Sequence, residues 1–125
     1  MKEHRNAVIN DKIIKESQYA NNQLVSRFIF PYATSIGVSA FKDCRSLTHI
    51  CFGFDLKSID FGAFDGCIAL KDIDFMVKDE NDVISISEDA FRNTNQEITF
   101  NIPLFGNKSL EEYAKRHRFN INKIF

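Results

Sequence analysis

No stretch of this sequence stays apolar for anything near the roughly 18 residues that a membrane span needs. No single charge dominates either: 16 Lys and Arg stand against 17 Asp and Glu, a net charge of −1. The first absence argues against membrane insertion, and the second removes any general electrostatic case for nucleic acid or an anionic membrane as partner. Cysteine is scarce. Cys44, Cys51 and Cys67 make an odd set with no C-x-x-C pair, so the simplest reading is reduced thiols in a cytoplasmic protein. The polar start Met1-Lys2-Glu3-His4-Arg5-Asn6 leads into no apolar segment, so no signal peptide is read there. An export segment preceding residue 1 would make the cell surface the alternative.

Catalytic signatures are missing as well. The chain has no Gly-rich phosphate loop, no G-x-S-x-G and no H-E-x-x-H. His4 and His117 fall in terminal segments, and Lys115-Arg116-His117-Arg118 reads as the solvated end of a helix rather than a nucleic-acid patch. Neither an enzymatic activity nor a cofactor is expected.

Phenylalanine is what the chain has in quantity: thirteen, beside three Tyr and no Trp. Much of it recurs at fixed intervals. Ser35-Ile36, Ala40-Phe41, Cys44, Leu47, Ile50 and Phe52 return 23 residues later as Ser58-Ile59, Ala63-Phe64, Cys67, Leu70, Ile73 and Phe75. A weaker copy has Ser85-Ile86, Ala90-Phe91, Phe100 and Ile102, with Thr94 in the Cys slot and Glu97 in the Leu slot. A degenerate first copy uses Ile14, Tyr19, Asn22, Val25, Phe28 and Phe30. The aromatic slot, Tyr19, Phe41, Phe64 and Phe91, therefore steps by 22, 23 and 27 residues. The polar insertion Lys78-Asp79-Glu80-Asn81-Asp82 explains the long last step and reads as a surface turn.

Such a unit has to stack. In Leu47-x-x-Ile50-x-Phe52 the apolar residues alternate with His49 and Cys51, the period of a strand with one buried face. So short a strand cannot bury that face alone, but stacked coils share one core. A second apolar pair before each Phe slot (Ala33 and Ile36, Leu56 and Ile59, Val83 and Ile86) gives each coil another buried side. Gly37, Gly62 and Gly66 fall where tight turns are expected.

The pattern Ile-x-x-x-Ala-Phe-x-x-Cys-x-x-Leu-x-x-Ile-x-Phe resembles the leucine-rich repeat of the BspA-like (Treponema pallidum type) family. Pro31 and Pro103 occupy the post-strand slot where that family places proline. The resemblance covers about residues 14 to 125, and the segment from Ile102 to Ile124 resembles the C-terminal cap of such arrays. It implies a right-handed solenoid with a binding role.

The expected fold is thus mainly β with short helical segments: a leucine-rich-repeat solenoid of about four coils with a C-terminal capping helix and strand. The divisions are an N-terminal cover over 1–13, repeats over 14–104 and a cap over 105–125. Ser109-Leu110-Glu111-Glu112 reads as a capping box with Ser109 as N-cap. Leu110, Tyr113 and Ala114 then share one face, able to cover the last coil. Phe119 to Ile124 alternates like a final strand, and Ala7-Val8-Ile9 reads as the matching N-terminal cover.

Register places Cys44 and Cys67 in consecutive layers as small buried residues rather than a redox pair. Cys51 sits on the outward face of its strand. That outward face offers the candidate binding residues Arg27, His49, Cys51, Asp72, Asp74 and Asn101, with Ile29 and Thr99 among them. Strands lie about 4.8 Å apart, so His49 and Cys51 should flank Asp72 and Asp74. This set has metal-ligand chemistry, but a polar solvated face accounts for it and no metal is assigned. The expected function is protein or peptide recognition, with a structural or self-associating module as the alternative and a metal- or thiol-dependent activity a distant third. Four such strands expose only about 200 Å² of sheet, against about 800 Å² per partner in a standard interface.

Overall fold

The computed structural model describes residues 5–95 and 97–125. The first four residues of the expected N-terminal cover lie outside the described ones. The elements in chain order are β1 (Asn6–Val8), β2 (Ile13–Ile14), β3 (Arg27–Phe30), β4 (Ser35–Ile36), β5 (His49–Phe52), β6 (Ser58–Ile59), β7 (Asp72–Phe75), β8 (Ser85–Ile86), β9 (Thr99–Ile102), α1 (Lys108–His117) and β10 (Asn120–Lys123).

The chain shuttles between two sheets. β1, β3, β5, β7, β9 and β10 form a six-stranded sheet in that order, and β2, β4, β6 and β8 form a four-stranded one. Every pairing is parallel. The result is a parallel-strand solenoid of about 5 turns. The four coils visible as repeats are all present, and β1 and β10 extend the larger sheet beyond them at either side.

Strict register builds the core. Phe28, Ile50, Ile73 and Phe100 are direct neighbours across β3, β5, β7 and β9, as are Phe30, Phe52 and Phe75 one step along. All are essentially inaccessible to solvent. Behind them the aromatic slot forms a face-to-face ladder. Ring centroids are 5.5 Å apart for Tyr19–Phe41, 5.2 Å for Phe41–Phe64 and 5.1 Å for Phe64–Phe91, with interplanar angles of 10°, 2° and 7°. Equal coil spacing brings identical rings into parallel stacks. Phe119 breaks the series by meeting Phe91 edge-on at 90°, which ends the ladder.

The turn after each aromatic slot has its own rule. Two residues beyond Tyr19, Phe41, Phe64 and Phe91 the backbone is left-handed, at Asn21 (φ 63°), Asp43 (φ 58°), Gly66 (φ 77°) and Asn93 (φ 56°). Asn, Asp and Gly are the residues that tolerate this region. This turn position is therefore written in backbone preference rather than hydrophobicity. Gly37, expected at a tight turn, has another reason for its size: a Cβ there would lie 2.8 Å from the Ile14 carbonyl oxygen of the preceding coil.

Three details differ from the sequence expectation, and two trace to the insertion at 78–82. Val83 is 74% exposed while Ile84 is buried, because the longer loop re-enters the coil one residue later. Ser109 is not the helix N-cap. Asn107 is: its Oδ1 accepts from Leu110 N–H at 3.0 Å, its own N–H donates to the Glu111 carboxylate at 3.0 Å, and its side chain is fully buried. The Asn107 amide also donates to the carbonyls of Asp82 (2.8 Å) and Asp79 (3.2 Å), and Lys108 N–H donates to the Glu80 carbonyl at 3.0 Å. Ser109 Oγ donates to Asn107 Oδ1 at 2.7 Å and accepts from Ile84 N–H at 3.0 Å. The insertion is thus the seat of the capping helix as well as a surface turn. Thirdly, Ile98 is the buried residue just ahead of β9, while Glu97 in the Leu slot stays exposed. As expected, α1 buries Leu110, Tyr113 and Ala114 against the last coil.

Candidate functional site

The outward face of the six-stranded sheet carries two columns of side chains. Arg27, His49, Asp72 and Thr99 are register neighbours in one, and Ile29, Cys51, Asp74 and Asn101 in the other. β10 adds Asn120 and Asn122. The second column changes character along its length, from Val8, Ile29 and Cys51 to Asp74, Asn101 and Asn122.

A hydrogen-bonded chain crosses this face. His49 Nε2 lies 2.9 Å from Asp74 Oδ2, a diagonal contact between neighbouring strands. The other Asp74 oxygen accepts from Asn101 Nδ2 at 2.9 Å, and Asn101 Oδ1 accepts from Asn122 Nδ2 at 3.2 Å. Asn101 also reaches Asp72 Oδ1 at 3.4 Å. Side chains on a rigid parallel sheet lose little further freedom in such a chain, so the polar groups are fixed before any ligand arrives.

Burial raises the Asp74 carboxyl, but hydrogen bonds from His49 and Asn101, with the charges of His49 and Arg27, outweigh it. The group settles below the ordinary carboxylate value and is ionised at neutral pH. Cys51 moves the other way. Burial and the Asp74 carboxylate push its thiol up, and Arg27 offsets this only in part. A nucleophilic cysteine needs the opposite shift.

The structure brings together His49, Asp72, Asp74 and Asn101 and leaves Arg27 exposed at the edge of the group. Asn101 faces outward as expected but is only 6% exposed, because Asn122 from β10 lies against it. It orients Asp74 and offers little surface of its own. Among the described residues no three His, Cys, Asp or Glu side chains are placed to hold a metal ion. Asn122 was outside the sequence candidates; its alternation with Ile121 in the final strand was the signal that could have found it.

The inward thiols follow a rule of their own. Cys44 Sγ donates to the Tyr19 carbonyl at 3.1 Å and Cys67 Sγ to the Phe41 carbonyl at 3.0 Å, each reaching the aromatic slot one coil back. Both cysteines are free and fully buried.

Residues 10–125 match the model of the BspA type leucine rich repeat region, in 6 copies. The chain belongs to that family. No curated protein and no solved structure matches it. As a BspA-type repeat protein it is of a kind commonly used for protein interaction and generally non-catalytic. No helix among the described residues is long and apolar enough to cross a membrane.

Proposed function

We propose that this chain is a non-catalytic recognition module that binds a protein or peptide on the outward face of its six-stranded sheet. The observation that supports it best is the preorganised chain His49–Asp74–Asn101–Asn122 on an otherwise open face. Arg27 and Asp72 beside it are the charged groups with most capacity left for a partner, and Ile29 and Cys51 supply an apolar contact next to them. The raised Cys51 thiol and the fixed His49–Asp74 pair suit orientation and hydrogen bonding rather than nucleophilic chemistry. With two carboxylates at its centre, the face also suits a polypeptide better than a nucleic-acid backbone. The cytoplasm is the compartment that best fits three unpaired cysteines.

The test uses the chain as bait. A partner captured from lysate and then purified is titrated against wild type and against the triple variant His49→Ala, Asp72→Asn, Asp74→Asn. The affinity should fall about tenfold or more while the fold persists. An undiminished affinity in a folded triple variant would move the functional surface elsewhere.

A further inference from the structure

The six strands of the open sheet present only about 300 Å², taking about 4.8 Å between strands and 3.3 Å per residue. That is well short of the roughly 800 Å² per partner of a standard interface. Tight binding of a folded partner needs a second surface, and one corner of the solenoid supplies it.

Two residues beyond the ends of β3, β5, β7 and β9 stand Tyr32, Phe54, Val77 and Leu104. Tyr32 is 54% exposed, Phe54 53% and Leu104 68%; Leu24, Phe61 and Ile68 are exposed too, but at positions that do not recur as exposed apolar residues from coil to coil. The third coil looks like an exception, since Val77 is buried. Val83, which follows the insertion and is 74% exposed, lines one cavity of about 230 Å³ together with Phe54, Leu56 and Val77, and so supplies the exposed apolar group of that coil. The exposed apolar series is thus kept through four successive coils, Tyr32, Phe54, Val83 and Leu104. Core packing does not require it, because none of the four is buried. Repeated exposure of this kind marks an interaction surface.

Charge says what would lie there. Lys78 already pairs with Asp55 at 3.4 Å, so Asp79, Glu80 and Asp82 outnumber the remaining cations beside them, Lys57 and Lys108, and the corner stays acidic. Spacing says in what form. The series advances about 4.8 Å per coil, close to the 5.4 Å pitch of an α-helix and far from the roughly 6.7 Å between same-face residues of a strand. Three coil steps, about 14 Å, correspond to about ten helical residues, with contacts near i, i+3, i+7 and i+10.

We propose that this corner is a second docking surface and that its occupant is a basic amphipathic helix of a partner polypeptide. Apolar residues of that helix would cover Tyr32, Phe54, Val83 and Leu104, and its Lys or Arg residues would face the acidic insertion. The proposal stands apart from the sheet-face reading and survives its failure.

The test is an anisotropy titration of the full chain with a labelled synthetic helix of about 14 residues, Leu on one stripe and Lys beside it. A matched peptide with Glu for every Lys is the control. The Lys peptide should bind at least about tenfold more tightly than the Glu peptide. Phe54→Ser with Leu104→Ser should weaken it at least about tenfold while leaving the melting midpoint unchanged, because both side chains are already half or more exposed. Asp79→Asn, Glu80→Gln and Asp82→Asn together should weaken it and flatten its salt dependence, whereas Asp72→Asn on the sheet face should have no effect. Equal affinity for the two peptides, or binding indifferent to Phe54→Ser with Leu104→Ser, would overturn the proposal. So would a dimer in light scattering that this double substitution abolishes, since a second copy would then be the occupant.

Discussion

The thiol of Cys67 donates a hydrogen bond to the carbonyl oxygen of Phe41, 3.0 Å away and one coil back. Cys44 makes the same bond to Tyr19. The cysteine slot is therefore a between-coil tie as well as a small core residue. Thr94, in the same slot, turns its hydroxyl to Phe91 of its own coil instead, at 2.6 Å, where α1 and β10 take over the packing.

This relationship sets the order of thiol reactivity. Contact with Cys44 and burial hold the Cys67 thiol far above its ordinary value, and both inner cysteines are inaccessible to reagent. In native protein an aromatic disulfide reagent should modify Cys51 alone, and slowly, because burial and Asp74 raise that thiol too. All three should react at once in denaturant. Rapid native modification of Cys67 would invert the assignment of inside and outside.

Phe64 tests the ladder. Its ring lies between Phe41 and Phe91, at 5.2 and 5.1 Å and nearly parallel to both, with no exposed surface. Phe64→Ala removes two stacking contacts and leaves a cavity that the rigid coils on either side cannot close. A loss of about 3–5 kcal/mol is expected in urea melts. A loss under about 1 kcal/mol would be incompatible with this packing.

The repeat made much of the fold legible. Alternation within each four-residue strand and recurrence at 22 to 23 residues are expressed in side-chain type, so the inner ladder, the cysteine layer and the outward residues could all be placed by register. Register also put His49 beside Asp72 and Cys51 beside Asp74, as the strand pairings show. It could not show His49 reaching diagonally to Asp74, which depends on side-chain length and torsion. The helix cap departs from its local sequence signal for a related reason. Ser109 and Glu112 have capping-box spacing, but the capping network of Asn107 closes through carbonyls 25 and 28 residues earlier, and no local spacing reveals it.

Acid should act on the outward face through Asp74. Its folded-state value lies below the unfolded one, so it contributes stability above the unfolded value of about 3.9. That contribution is lost as pH falls through the depressed folded value. Urea midpoints of wild type should decline as pH drops from about 5 towards 3, and those of Asp74→Asn should decline less over the same window. Parallel decline in the two proteins would show that Asp74 gains nothing from His49 and Asn101.

The insertion offers the sharpest test, because exposure alone would suggest that it can be removed without structural cost. Its side chains are exposed, yet the carbonyls of Asp79, Glu80 and Asp82 receive Asn107, Lys108 and Ser109. Deleting residues 78–82 would strip the first turn of α1 of these acceptors. Asn107→Ala should cost about 2–3 kcal/mol, combining the loss of an N-cap with buried groups left unpaired. Ser109→Ala should cost about 1 kcal/mol, since it removes one hydroxyl from the same network. Deletion of 78–82 should destabilise at least as much as Asn107→Ala, and amide exchange should speed up first in α1 and β10 while β3, β5 and β7 stay protected. The order of the two point variants carries the decision. A larger loss for Ser109→Ala than for Asn107→Ala would make Ser109 the true N-cap, and the insertion would revert to a loop free to be exchanged without disturbing the cap.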